Sequence, residues 1–293
     1  MRFAVVAATT VLLLGSAAPV LAGGAQRLDG YVYVEGGINT FDQGFNDGSH
    51  KLAHGPAYEV GGSTEMAITP SLGVQGDLSF RDRRAPYDDD PDGGVGDQQV
   101  NATMHAFYRD PGAFLIGAVG QYAVASQLNL SHLDTPFTTI RTYAGGEAQG
   151  YLGDFVLYAQ AAYEHRVRQD AGDDGATSGW IGDVEARYYL QPNMEIGAHV
   201  GRETMAYDSQ PDSTVTVTSG GLALEFQPEN MPFSAFAKYD VFNQATAGLS
   251  NDQWYQRVLV GLKFNFDDTT LEDRAHSGAS LKPFESYNNP NLF

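Results

Sequence analysis

The residues best equipped for chemistry are carboxylates and guanidiniums that recur at every second position. From Phe155 onward, Tyr158, Gln160, Glu164, Arg166 and Arg168 share one parity, and from Trp180 onward so do Asp183, Glu185 and Arg187. Parity assigned along the whole chain collects Asp29, Glu35, Glu59, Glu65, Asp77, Glu147, Glu164, Asp183, Glu185, Glu195, Glu203, Glu225 and Asp240 on one face. Arg141, Arg166, Arg168, Arg187, Lys238, Arg257 and Lys263 join them. A wall of thirteen acids and seven bases can do two things. Its charges can pair into a hydrated filling, or their field can concentrate cations along a permeation path.

Other chemistry is less well supplied. Asp88-Asp89-Asp90-Pro91-Asp92-Gly93 opens like a calcium loop, with oxygens at alternate positions and then a glycine turn. Position twelve is Gln99, where a bidentate Glu is needed, so the bland reading is an acidic surface loop. Asp170, Asp173 and Asp174 before Gly175 echo it weakly. No metal site is expected. Of the seven histidines, His105 and His199 fall on the charged face, and His165 on the other. His50, His54 and His132 lie in loops and His276 in the tail. No His-x-Ser pair, Gly-x-Ser-x-Gly elbow or His-Glu-x-x-His motif occurs. Neither catalysis nor a cofactor is expected.

These residues need elements to hold them. The 293 residues carry 17 Lys and Arg, 36 Asp and Glu and a net charge of −19, which disfavours nucleic acid as a partner. Cysteine is absent, so disulfides and thiolate chemistry are excluded. Tyr and Phe number 16 each and Gly 34, a composition that suits an all-β protein. Met1-Arg2, the apolar run Phe3 to Leu14 and the small-residue pattern Val20-Leu21-Ala22 read as a signal peptide over 1–22. The apolar run is too short to span a bilayer, so any membrane crossing must be made of strands.

Downstream, two kinds of punctuation alternate. Short turns occur at Ile68-Thr69-Pro70-Ser71, Arg109-Asp110-Pro111-Gly112, Gly150 to Asp154, Leu190-Gln191-Pro192-Asn193 and Gln227 to Pro232. Long polar stretches occupy Thr40 to Ala57, Asp82 to Gly96, Gln127 to Pro136, Gln169 to Thr177, Asp208 to Asp212 and Asn243 to Asp252. Between them lie twelve segments: 28–40, 58–68, 72–82, 98–109, 113–126, 138–150, 154–168, 178–190, 194–207, 213–226, 233–243 and 253–266. Opposite the charged parity stand apolar residues such as Phe155, Leu157 and Tyr163, or Val258, Val260 and Leu262. Phe80, Tyr108, Tyr151, Phe226, Phe233 and Phe266 close several apolar faces, as interface girdles would. The pattern predicts a transmembrane antiparallel up-and-down β-barrel of about 12 strands, with short periplasmic turns and longer extracellular loops.

The last segment, Gly261-Leu262-Lys263-Phe264-Asn265-Phe266, resembles the assembly signal of bacterial outer-membrane proteins, on Gly261, Phe264 and Phe266. The chain thus resembles a Gram-negative outer-membrane β-barrel of porin type. That resemblance implies an outer-membrane location, with lipid, lipopolysaccharide and the barrel-assembly machinery as partners and small solutes as cargo. It departs from the family in continuing beyond Phe266, and 267–293 reads as a polar, mostly disordered periplasmic tail. The expected organisation is therefore signal peptide 1–22, barrel 23–266 and tail 267–293. The expected function is passive diffusion of small polar or cationic solutes through an acidic lumen. Its candidate lining is Glu35, Glu65, Asp77, Glu147, Glu164, Asp183, Glu185, Glu203, Arg141, Arg166, Arg187 and Lys238. A closed structural or adhesion barrel with partner-binding loops is the alternative, and an outer-membrane enzyme the third.

Overall fold

The computed structural model describes residues 28–44, 50–88, 94–127, 138–169, 176–207, 214–247, 253–266 and 270–285. The signal peptide, Asp89 to Asp92, His132, Asp170 to Gly175 and the last eight residues lie outside them.

Alternating apolar and polar side chains give each segment two unlike faces, and twelve such segments bury one face by closing on themselves. The strands are β1 (Leu28–Gly44), β2 (His50–Ala67), β3 (Leu72–Pro86), β4 (Gly94–Asp110), β5 (Phe114–Gln127) and β6 (Thr138–Leu152). There follow β7 (Phe155–Arg168), β8 (Ala176–Gln191), β9 (Met194–Tyr207), β10 (Thr214–Phe226), β11 (Phe233–Thr246) and β12 (Gln253–Asn265). Each pairs antiparallel with its sequence neighbours, and β1 pairs with β12 from Tyr31↔Asn265 to Gln43↔Gln253. Closure leaves no free sheet edge.

The short turns fall at one end and the long connections at the other, as the sequence predicts. At the β6–β7 turn, Gly153 takes φ +62°, which glycine adopts without steric cost. Two long connections are shorter than expected. Thr40 to Ala57 and Asp82 to Gly96 continue as strand, pairing Gly44 with His50 and Pro86 with Gly94. Roughly 9–11 residues suffice to cross a bilayer, so these ladders extend polar residues beyond an apolar band. Asp82 and Arg84 pair there on the outer face.

The outer wall is apolar. Ile38, Trp180, Val260 and Leu262 are each at least 60% exposed, and Phe264 on β12 and Phe266 just beyond it are exposed as well. Tyr151 is the exception among the anticipated girdle aromatics: it points inward and is buried. Gly261 faces inward under the Phe236 ring, which would collide with a Cβ there. Its smallness makes room for that aromatic.

The tail departs furthest from expectation. In place of a structureless extension, Leu271–Ser277 forms a short helix, α1, and 278–285 continues inside the barrel without helix or strand. Thr270 caps α1 by accepting a hydrogen bond from the Asp273 N–H, and Glu272 and Asp273 complement its N-terminal dipole. Leu271, Ala275, Leu281 and Phe284 are buried, so the tail adds apolar side chains to the lumen core.

Candidate functional site

The candidate site is the lumen. All twelve predicted lining residues point inward, because strict alternation leaves them no other face. Most are paired. Lys238 Nζ lies 2.8 Å from Glu35, and Arg109 grips Glu65 with both Nη atoms at 2.6 and 2.9 Å. His105 sits between Asp77 and Glu147 at 2.9 Å from each, and the Tyr158 hydroxyl donates to Glu147 at 2.8 Å. Arg166 bridges Glu164 at 2.8 Å and Glu203 at 2.9 Å. His199 bridges Asp183 and Asp240, and Arg257 holds Asp240 from the far side. Arg141 is enclosed, 1% exposed.

Parity also places inward several residues that the sequence reading did not assign to the charged face. Arg81 donates to Gln99, Arg83 grips Asp97 with Nε and Nη2 at 2.7 and 2.9 Å, and Arg109 reaches Glu65. The lumen is therefore less acidic than thirteen against seven suggests. Gln99, the twelfth position of the calcium-like pattern, is turned into the lumen and committed to Arg81. Among the described residues no three His, Asp or Glu side chains are arranged so that they could hold a metal ion. On the outer wall His165 Nδ1 lies 3.0 Å from Ser178 Oγ, across the β7–β8 ladder rather than along the chain.

The tail crosses this charged interior on a stripe of uncharged residues. Leu271 and Ala275 meet Tyr151, Val156 and Tyr189 near the turn end, and His276 stacks on Tyr151 at 4.3 Å. Leu281 enters a cluster of Phe107, Leu115 and Tyr158. Phe284 enters another of Val119, Ala123, Tyr143, Ala162 and Ile181, stacking on Tyr143 at 5.6 Å. Arg109 donates to the Gly278 carbonyl and Gln149 to that of Ala275. Charged contacts fix the sides: Lys282 to Glu185 at 2.6 Å and Arg257 to Glu285 at 2.8 Å.

Glu285 shows how the barrel receives the segment. Burial alone raises its carboxyl, but Arg257, Lys238 and Arg81 outweigh that and hold it well below the usual carboxylate range. The segment carries its negative charge to the side of the lumen where cations wait for it.

The inserted segment does not fill the barrel. A cavity of about 220 Å³ remains between it and a wall drawn mostly from β8 to β12 and β1, with Glu59, Arg81, Gln99 and Gln160 contributed by β2, β3, β4 and β7. Tyr31, Tyr33 and Phe236 form an aromatic ledge there, with Lys238 and Lys263 over the rings. Of the twelve predicted lining residues, Asp183, Glu185, Arg187, Glu203 and Lys238 border the cavity. Glu35, Glu65, Asp77, Glu147, Glu164 and Arg166 do not; they belong to the ion-paired interior elsewhere, where Arg141 is also buried. Eight acids border the cavity and, leaving out the outward-facing Arg202, seven Lys or Arg, so its wall is close to charge-balanced.

No protein-family model matches the chain, and neither does any curated protein. Solved structures do. The translocator domain of the autotransporter NalP from Neisseria meningitidis aligns with TM-score 0.53 at 12% identity, over 90% of this chain and 98% of that one. An outer membrane channel from Pseudomonas putida F1 gives 0.53 at 12%, over 85% and 100%. The beta domain of the Bordetella autotransporter BrkA gives 0.51 at 13%, over 82% and 99%. The chain has the fold of Gram-negative outer-membrane β-barrels.

Proposed function

We propose that this chain is a non-enzymatic outer-membrane channel that passes small polar solutes along the cavity beside its own C-terminal segment. One observation carries the reading: the lumen keeps about 220 Å³ of space, bordered by charged and aromatic side chains, although a segment of the chain is inserted in it. The exposed apolar wall supports a lipid setting, since a protein in water rarely presents so continuous an apolar surface. Lipid and lipopolysaccharide would meet that wall, and the barrel-assembly machinery would insert it. Cation preference is weaker than the sequence suggests, because the cavity wall is close to balanced and mainly the net charge of −19 favours cations at the mouths.

A second reading, a closed structural barrel, is favoured by the inserted segment itself, which narrows the interior and ties its charges into pairs. Planar-bilayer recording of the refolded chain separates the two. Discrete, small conductance steps support the channel. Their absence from correctly folded, heat-modifiable protein rejects it in favour of the closed barrel.

A further inference from the structure

We propose that the inner wall of β3 to β8 is a sequence-selective binding site for an extended peptide, with residues 279–285 of the chain's own tail as its resident ligand. The tail is held at two backbone positions by side-chain amides used in both directions. Gln75 Nε2 donates to the Leu281 carbonyl at 2.8 Å, and the Leu281 N–H donates to Gln75 Oε1 at 3.2 Å. Gln121 repeats this on Phe284, donating at 2.9 Å and accepting at 2.8 Å. A primary amide that donates to a C=O and accepts from the N–H of one residue imitates the pairing of a neighbouring strand.

Both clamped residues are also the apolar anchors. Leu281 enters the pocket of Leu115 and Tyr158, and Phe284 that of Tyr143 and Ile181. Their spacing of three across Pro283 is the repeat of an extended polyproline-type helix, which returns every third side chain to one face. Lys282, between them, turns to Glu185 on the other side. Backbone clamps supply affinity regardless of sequence, and the two pockets with the acid opposite supply selectivity. The ligand class is thus an extended peptide of the pattern Leu-Lys-Pro-Phe. None of this depends on whether solutes pass through the cavity.

The test uses the full chain with a specific protease site placed between Phe266 and Thr270, cut after folding. A fluorescent synthetic peptide of residues 270–285 should then exchange into the nicked protein with saturable anisotropy. The Leu281→Ser, Phe284→Ser peptide should bind about tenfold more weakly or worse, as should the native peptide to Gln75→Ala or Gln121→Ala barrels. In uncut chain the peptide should compete only above the effective concentration of the tethered tail, on the order of millimolar. Three results would overturn the proposal: no exchange into nicked protein that stays heat-modifiable, equal binding of the serine peptide, or collapse of the barrel on nicking. The last would make the segment a structural part of the barrel.

Discussion

Gln121 and Phe284 hold each other twice, side-chain amide to backbone, at 2.9 and 2.8 Å across 163 residues of sequence. The contact ties the middle of the barrel wall to the end of the chain, and Phe284 adds a buried ring stacked on Tyr143. Removing that ring should release the segment. Phe284→Ala should cost docking about 3–5 kcal/mol, the usual range for a buried aromatic. The chain has no cysteine, so a single Ala279→Cys reporter reads this directly. The thiol should react slowly with a polar maleimide in the parent and much faster with Phe284→Ala added. Unchanged reactivity would mean the ring does not hold the segment.

The apolar wall makes a second prediction. Val260 is 61% exposed on the outside of β12, whereas Ser219 borders the internal cavity. Val260→Arg should cost membrane folding about 2–4 kcal/mol if the residue lies near the midplane, while Ser219→Lys should insert normally. Urea titration of folding into vesicles measures both. Equal stability of the two variants would contradict the assignment of faces.

How much of this is legible in the sequence follows from what alternation encodes. Side-chain parity places Glu35, Asp77, Glu185 and Lys238 correctly, because a strand has only two faces and one must meet lipid. It fails at segment ends. Tyr151 and Arg109 read as turn residues, yet the strands run on and turn both inward. Partners brought together by the β1–β12 closure, such as Lys238 with Glu35 over 203 residues, are set by a pairing that no local pattern carries. The tail was the least legible part. Its polar residues suggest disorder, but Arg274, Lys282 and Glu285 are polar because they face the charged lumen, while Leu281 and Phe284 supply the apolar anchors.

Acid should loosen the tail. Glu285 faces Arg257 and Asp240, with Lys238, Arg81 and Glu59 also within electrostatic reach. With its carboxyl held below the ordinary value when docked, the docked state binds that proton more weakly than the released state. The stabilisation is therefore complete above the usual carboxyl range, near pH 4.3, and is lost as pH falls through the depressed value. Ala279→Cys reactivity, read by an acid-tolerant thiol reagent, should rise at low pH and stay flat from neutral to pH 8. Glu285→Gln should blunt the acid response. A response equally large in the Gln variant would place the sensitive group elsewhere.

The most direct test of the whole account is single-channel recording on the full chain beside its Leu281→Ser, Phe284→Ser variant, both first shown to be folded by heat-modifiability. The account predicts a small conductance with weak cation preference in the parent, carried by the cavity beside the tail. In the variant the steps should be several-fold larger, because the segment no longer occupies the lumen. Silence from both folded proteins would contradict the channel, and equal conductance would contradict the tail as the element that narrows it.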